Sequence, residues 1–383
     1  MELEEAKRAV LDASKKLVDS SLVARTWGNI SCRVGSSHFL ITPSGREYER
    51  LDEGQLVLVS LEDLSYEGEI KPSSEKGIHG AVYRLREDVH SVIHTHQEMA
   101  SLASQLGEVL AVPPSFQHIL GERILTAPYA LPGTKRLKAQ VSKVLATEPK
   151  SSLLMAHHGA LCFAADMEET YRAAAALEAV CTEHVHSRAP RLGDLAHSGE
   201  PVLLARRNER GDIECSDDAP LYIKELACAL LAGKRGYSHV LSLSSPKITA
   251  SMENVQTLSA YLDDFAQIAG ANVPVMEGGR APSAYLSATK GRDALLIHGF
   301  GALCMGTTQS DAKAVATLLE KNAKAALLAL DAPQVRPLPL LDSHLMRFVY
   351  THKYSKLAEA DPPSTPSPPG QGVTESPRHG EEV

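Results

Sequence analysis

His94 and His96 stand two residues apart at the end of an apolar run, Val92-Ile93-His94-Thr95-His96, and a further pair, His157-His158, precedes Gly159. Residues at i and i+2 of a strand project from the same face. A third imidazole from a distant turn would complete a three-nitrogen set with an open position for substrate, the layout of a catalytic metal site. Neutral imidazoles suit Zn²⁺ or a neighbouring divalent ion. The blander account makes them three unrelated members of a set of sixteen histidines. Lys71-Pro72-Ser73-Ser74-Glu75 ends 19 residues before His94. A carboxylate beside a Lewis acid can move a proton next to a polarised carbonyl, and the paired serines offer hydroxyls to an anion. The same segment also reads as a polar turn, with Ser74 capping a helix that starts near Glu75. Both accounts can hold together, because a helix N-terminus is itself an anion site.

Those residues need a scaffold. Leu3, Ala6, Val10, Ala13 and Leu17 recur at helical spacing, so residues 2–20 are expected to form an amphipathic helix. Residues 28–42 read as short strands, with Gly28-Asn29 and Pro43-Ser44-Gly45 as turns. Leu56–Val59 and Ser152–Met155 are apolar runs of strand length, residues 75–86 look helical and 89–95 look like a strand. Asp166, followed three residues later by Glu169, predicts a capped, alanine-rich helix running to about residue 185. Strands and helices at this frequency indicate a layered α/β architecture. The alanine run 173–176, Met155 and Trp27 read as packing residues, and Glu183, His184 and His186 as a solvated helix end.

At 383 residues the chain has room for one large domain or two ordinary ones, each with its own core. A net charge of -8 argues against a nucleic-acid partner. No apolar run is long enough to span a membrane, and the charged start has no signal-peptide core, so a cytoplasmic location is expected. The six cysteines lack CxxC spacing and read as reduced thiols. Residues 360–383 carry six prolines and almost nothing apolar, so a disordered tail is expected there.

An internal repeat organises the rest. Residues 157–162 read HHGALC and residues 299–304 read GFGALC; capped helices follow at Asp166/Glu169 and Thr308/Asp311. Ser91-Val92-Ile93 resembles His239-Val240-Leu241 upstream. The second half therefore reads as a shortened copy of the first. In that alignment His94, His96 and His158 fall on Ser242, Ser244 and Phe300. Two hydroxyls and a phenyl ring cannot replace three imidazoles around zinc, so the second copy should be inert.

The first half resembles the class II aldolase/adducin family. The motifs are GNIS (28–31), TPSG (42–45), KPSSE (71–75), HTH (94–96) and HHG (157–159), in family order over about residues 5–190. The resemblance implies a three-layer α/β/α domain with a central, mainly antiparallel sheet flanked by helices, here tandemly repeated. It implies bound Zn²⁺, a phosphorylated small sugar as substrate and a homo-oligomer with interfacial sites. Carried over by motif, His94, His96 and His158 would hold the metal, and Glu75 would be the acid/base. Thr26, Asn29, Ser44, Gly45, Ser73 and Ser74 would hold the phosphate, and His157 would be the non-ligand neighbour. The expected organisation is a catalytic domain at 1–200, a degenerate second domain at 216–335 and a tail at 355–383.

The expected activity is that of an aldehyde-lyase cleaving a ketose 1-phosphate into dihydroxyacetone phosphate and an aldehyde. A sugar-phosphate dehydratase or 4-epimerase on the same metal site is the alternative, and an adducin-like interaction protein is the non-catalytic one. Related epimerases tend to carry aspartate after the paired serines, so Glu75 favours aldolase or dehydratase. One departure stands out. Family aldolases place a tyrosine after the HTH strand, whereas Val112–His118 contains none and Gln117 or a neighbour takes its place; Tyr129 lies nearby in sequence. A fused pair of domains would let two chains build a four-domain ring.

Overall fold

The computed structural model describes residues 1–23, 27–195, 199–216 and 219–354. The proline-rich tail expected at the C-terminus lies outside the described residues. Two seven-stranded sheets, both mixed and mostly antiparallel, organise the chain. The first comprises β1 (Gly28–Val34), β2 (His38–Ile41), β3 (Val57–Ser60), β4 (Ser91–Thr95) and, past a two-stranded ribbon of β5 (Leu110–Ala111) and β6 (Arg123–Ile124), β7 (Thr126–Ala127), β8 (Ser152–Met155) and β9 (Gly159–Ala164). Its order is β3-β2-β1-β4-β9-β8-β7, and only the β7–β8 pair is parallel. Helices α1 (Leu3–Asp19), α2 (Lys76–Leu85), α3 (Glu98–Ala103), α4 (Pro114–Leu120), α5 (Lys135–Leu145), α6 (Met167–Arg188) and α7 (Pro190–Asp194) surround it.

The second sheet repeats this plan. It uses β10 (Val202–Arg207), β11 (Ile213–Cys215), β12 (His239–Leu243), β13 (Thr257–Ser259), β14 (Asn272–Met276), β15 (Ala294–Ile297) and β16 (Gly301–Gly306), in the order β11-β10-β12-β16-β15-β14-β13. The parallel pair is again the one beyond the central hairpin, β14–β15. Its helices are α8 (Leu221–Gly233), α9 (Pro246–Ser251), α10 (Asp263–Ile268), α11 (Pro282–Ala288), α12 (Gln309–Asp331) and α13 (Leu340–Val349). The registers coincide: His94 faces Leu161 across β4–β9, and Ser242 faces Leu303 across β12–β16. The tandem repeat is therefore present in the fold, with Ser242 at the position of His94.

Alternation explains the layers. On one face of the first sheet Phe39, Ile41, Val57, Val92, Leu153 and Phe163 pack against α2 and α5. On the second sheet Val240, Leu295, Leu303 and Met305 do the same with α8 and α11. The remaining faces, with α1, α3, α6, α9, α10 and α12, join in one core shared by both copies. That shared layer brings α12 against the first copy and buries Glu320, Lys321, Asn322 and Lys324, which an isolated helix would leave in water.

The strand and helix expectations hold with small shifts, except that Gly28-Asn29, expected as a turn, instead opens β1 and pairs with Thr95 and His94 of β4. The predicted helix near residue 75 begins at Lys76, and Glu75 rather than Ser74 occupies its N-cap position. The Glu75 side chain caps nothing; it turns inward, and the Ser73 hydroxyl instead accepts from the Glu75 amide at 3.2 Å. The cysteine expectation needs correction: Cys215 and Cys228 form a disulfide, while Cys32, Cys162, Cys181 and Cys304 are free and buried. The pair was hidden by 13 residues of separation, which the packing of α8 beside β11 closes.

Candidate active site

Three backbone turns and one helix start deliver the candidate residues to the edge of the first sheet. The apolar run 91–95 makes β4 a central strand, flanked by β1 and β9, so His94 is held at a fixed register with Asn29 on one side and Leu161 on the other. His96 follows the strand end. Beyond it Glu178 of α6 accepts from the Met99 and Ala100 amides at 2.7 and 3.0 Å and caps α3. His158 comes from the turn between β8 and β9, where His157 takes φ 62°. Gly159 next to it has no room for a side chain: a Cβ there would lie 2.2 Å from the Thr95 carbonyl oxygen.

The three imidazoles converge. Their ligand atoms lie within 4.8 Å of one another and make a set able to hold a metal ion. His158 Nε2 and His94 Nε2 are 3.0 Å apart, with the two rings stacked. Glu75 is at the centre, with Oε2 3.2 Å from His94 Nε2 and Oε1 3.0 Å from His158 Nε2. His94 Nδ1 donates to the Ala160 carbonyl at 2.7 Å, which leaves Nε2 turned to the cluster. Glu75 Oε1 and His96 Nδ1 are buried without a hydrogen-bond partner. Buried polar atoms are rarely left so, and an ion among these donors would satisfy them. The residues present therefore fit a divalent metal.

Electrostatics supports a carboxylate among imidazoles. Burial would push Glu75 up, but His94 and His158 outweigh it and hold the carboxyl well below its usual value. Burial would likewise push His158 down, but Asp263 and Glu75 hold it well above its usual value. Burial lowers His96.

A buried relay holds Glu75, and sequence reading missed it. Asn29 Nδ2 donates to Glu75 Oε2 at 2.9 Å, and Asn29 Oδ1 accepts from His79 Nε2. His79 Nδ1 pairs with the Ser31 hydroxyl at 2.6 Å, which pairs with Tyr83 at 2.7 Å. A single direction satisfies every member: Tyr83 donates to Ser31, Ser31 to His79, His79 to Asn29 and Asn29 to the carboxylate. Burial lowers His79 to about 3, so the ring is neutral as this relay requires. The signal was available, since His79 and Tyr83 follow Glu75 at steps of four on one helix.

The expected anion-binding residues gather beside this cluster, with one exception. Thr26 lies outside the described residues. Asn29, Ser44, Gly45, Ser73 and Ser74 all line one cavity of about 1220 Å³ that also reaches Glu75, His96 and His158. The TPSG and KPSSE turns are stitched together: the Ser44 amide donates to the Lys71 carbonyl at 3.0 Å and the Ser73 amide to the Thr42 carbonyl at 3.1 Å. Ser73 is buried and Ser74 exposed. Gln117, the expected tyrosine counterpart, donates to the Val112 carbonyl at 2.9 Å within its own loop. Tyr129 packs edge-on against His157 at 5.5 Å and donates to Asp342 at 3.0 Å.

The other missed residues come from the second copy. Asp263 of α10 contacts His158 Nδ1, Asp264 Oδ2 lies 3.6 Å from His96 Nδ1, and Lys321 of α12 bridges Asp264 and the His96 carbonyl at 2.7 Å each. No motif or spacing announces them, because their place depends on how the two copies pack. Among the described residues no helix is long and apolar enough to cross a membrane.

Known proteins share the half of the chain that carries this cluster. Residues 8–185 match the class II aldolase and adducin N-terminal domain. The 5-deoxy-D-ribulose 1-phosphate aldolase of Bacillus thuringiensis is 29% identical over 205 residues, 53% of this chain and 92% of its own length. An L-fuculose phosphate aldolase of Escherichia coli is 32% identical over 173 residues, 44% of this chain and 77% of its own length. A solved L-fuculose 1-phosphate aldolase is 29% identical, covering 49% of this chain and 88% of that one with a TM-score of 0.45. The relatives thus span about half of the chain, and by that half the chain belongs to the class II aldolase/adducin family.

Proposed function

We propose that this chain is a zinc-dependent aldehyde-lyase that cleaves a small ketose 1-phosphate into dihydroxyacetone phosphate and an aldehyde. The observation that carries this reading is Glu75, buried between His94 and His158 and oriented by Asn29. His94, His96 and His158 would hold the ion, which when bound would polarise the substrate carbonyl as a Lewis acid. Cleavage breaks the bond between C3 and C4: the C4 hydroxyl loses its proton as C4 becomes the aldehyde, and C3 keeps the electron pair and gains a proton. Glu75 moves the proton at C3. Asn29 occupies Oε2, and Oε1, which has no hydrogen-bond partner, is the oxygen left to carry that proton. Ser44, Gly45, Ser73 and Ser74 line the wall of the cavity where backbone and hydroxyl donors suit a phosphate; Thr26 joins this set by its motif alone. Relatives named as ketose-phosphate aldolases support the substrate class.

A dehydratase or 4-epimerase on the same residues is the second reading. It is favoured by the absence of a tyrosine at 112–118 and by Gln117 being spent on Val112. The chain divides on our reading into a catalytic unit up to about residue 200 and a second unit built on 216–335. The second unit extends backward to take in β10 and β11 and forward to take in α13. Two chains would assemble as a four-domain homodimer, which gel filtration with light scattering tests. Metal analysis with a panel of ketose 1-phosphates tests the activity. Glu75→Gln is expected to lower turnover by about 10²- to 10⁴-fold with metal retained. Absence of bound divalent metal, with stability unchanged in chelator, overturns the proposal.

A further inference from the structure

The second copy, stripped of its own ligands, grips the first copy's histidines. Its α10 docks on the HHG turn. The Asp263 amide donates to the His157 carbonyl at 3.1 Å, and His157 Nδ1 donates to the Tyr261 carbonyl at 2.8 Å. The segment is pinned from behind by buried Asn322 of α12, whose Oδ1 accepts from the Tyr261 amide at 2.8 Å and whose amide donates to the Ser259 carbonyl at 2.9 Å. Asp263 is itself 1% exposed. One carboxylate oxygen contacts His158 Nδ1, and the other is buried without a hydrogen-bond partner, 3.8 Å from His96 Nδ1. Burying a carboxylate is costly unless it is paired, so its placement against two imidazoles calls for a role.

We infer that Asp263 is a positioning residue for the metal site: from the second copy, it accepts a hydrogen bond from His158 Nδ1 and so holds Nε2 toward His94 and Glu75. This rests on the metal-site reading above. A metal-bound imidazole ordinarily donates its other nitrogen to a carboxylate or carbonyl, which fixes tautomer and orientation and raises basicity. His94 finds that partner in its own copy, the Ala160 carbonyl. Among the described residues His158 finds it across the junction, in Asp263. Asp264 acts beside it: paired with buried Lys321, it anchors α10 to α12 while Lys321 holds the His96 carbonyl.

The alignment of the copies agrees. Phe116, Ile119 and Gly121 of the α4 segment correspond to Phe265, Ile268 and Gly270 of the α10 segment, and both glycines take positive φ. In that register Pro114 and Ser115 stand where the second copy has Asp263 and Asp264. The acid pair belongs to the copy without metal ligands, and it is aimed at the copy that has them.

The test is zinc affinity of the full chain, measured by competition with a chromophoric chelator, together with the visible absorption of the Co²⁺-loaded protein. Asp263→Asn keeps the size and one acceptor oxygen but removes the charge. It is expected to bind zinc about 10- to 100-fold more weakly than the parent and to shift or weaken the Co²⁺ band. Thermal melting of both metal-free proteins checks that the variant is folded. Asp263→Glu is the second variant, expected to recover part of the lost affinity because it restores the charge. Affinity of Asp263→Asn within twofold of the parent, with an unchanged Co²⁺ spectrum, overturns this inference and leaves the metal site standing. A parent chain that binds no metal overturns both.

Discussion

Where β4 of the first copy carries His94 opposite Leu161, β12 of the second carries Ser242 opposite Leu303. The turn before β9 presents His158, and the turn before β16 presents Phe300, which packs on the apolar cluster of the second sheet. At the start of the helix after β3 stands Glu75; at the start of α8 stands Pro220. The backbone beneath these changes is shared. Gly159 approaches the Thr95 carbonyl so closely that a Cβ would sit 2.2 Å away, and Gly301 approaches the Leu243 carbonyl with a corresponding 2.5 Å. The turn geometry therefore persists where the chemistry has gone. Framework and site are separable: the hairpin requires the glycine and does not require the imidazoles. What the second copy kept instead is a surface that fits the first, with Asp263, Asp264, Lys321 and Asn322 buried against it.

The same deletion at equivalent positions separates the two copies most sharply. His94→Ala is expected to weaken zinc binding by at least about 100-fold, since loss of a ligand's outer partner alone costs about 10- to 100-fold. Ser242→Ala, at the matching register, is expected to leave it unchanged, because the Ser242 hydroxyl has only a 3.4 Å contact with the Val202 carbonyl. The two variants are read by the same chelator competition. Equal losses would mean that both copies take part in binding.

The relay behind Glu75 gives a smaller, pH-dependent contrast. His79 is lowered to about 3 by burial, against about 6.5 for a free imidazole. At pH above 6.5 the ring is neutral in both folded and unfolded chains. Below it the unfolded chain takes up a proton that the folded chain refuses, so stability falls as pH drops from about 6.5 toward 3. The slope from this one group reaches about 1.4 kcal/mol per pH unit. His79→Asn is expected to flatten that acid limb in urea melts between pH 7.5 and 5, while lowering stability at pH 7.5 through loss of the Ser31 bond. The matching position on α8 carries Lys224, so no imidazole stands there to repeat this contribution. An unchanged acid slope would show that His79 is not the buried neutral group described.

These contrasts show how far the sequence could be read. His94 and His96 were legible because alternation in a strand is local, and the HHGALC and GFGALC hexapeptides exposed the duplication because hairpin glycines resist change. Ser74 was misread as the cap because spacing cannot tell a carboxylate that caps from one that turns inward. Cys215 and Cys228 were read as separate thiols because their meeting depends on α8 lying beside β11. Asp263 and Asp264 sit in a segment that reads as an ordinary helix start. Only the shared core reveals what they face.

The capped helices after each central hairpin offer the finest comparison. At α12 the cap is reciprocal. The Asp311 amide donates to the Thr308 hydroxyl at 3.1 Å, and the Asp311 carboxylate accepts from the Thr308 amide, also at 3.1 Å. At α6 the bond from the Glu169 amide to Asp166 at 2.8 Å stands for the cap, with Thr170 returning its hydroxyl to the Asp166 carbonyl. Removing an N-cap side chain costs about 0.5–2 kcal/mol. Thr308→Ala removes the hydroxyl, and with it both the bond from the Asp311 amide and the 2.9 Å bond to the Asp311 carboxylate, while the residue-308 amide keeps its own bond; α12 is buried along most of its length between the copies. Asp166→Ala removes a single bond and a favourable charge at the helix start. Both variants are expected to lower the urea midpoint, Thr308→Ala by more. If the two copies fold as one cooperative unit through their shared core, each variant shifts a single transition. A second transition moved by Thr308→Ala alone would show that the copy without ligands unfolds independently of the one it grips.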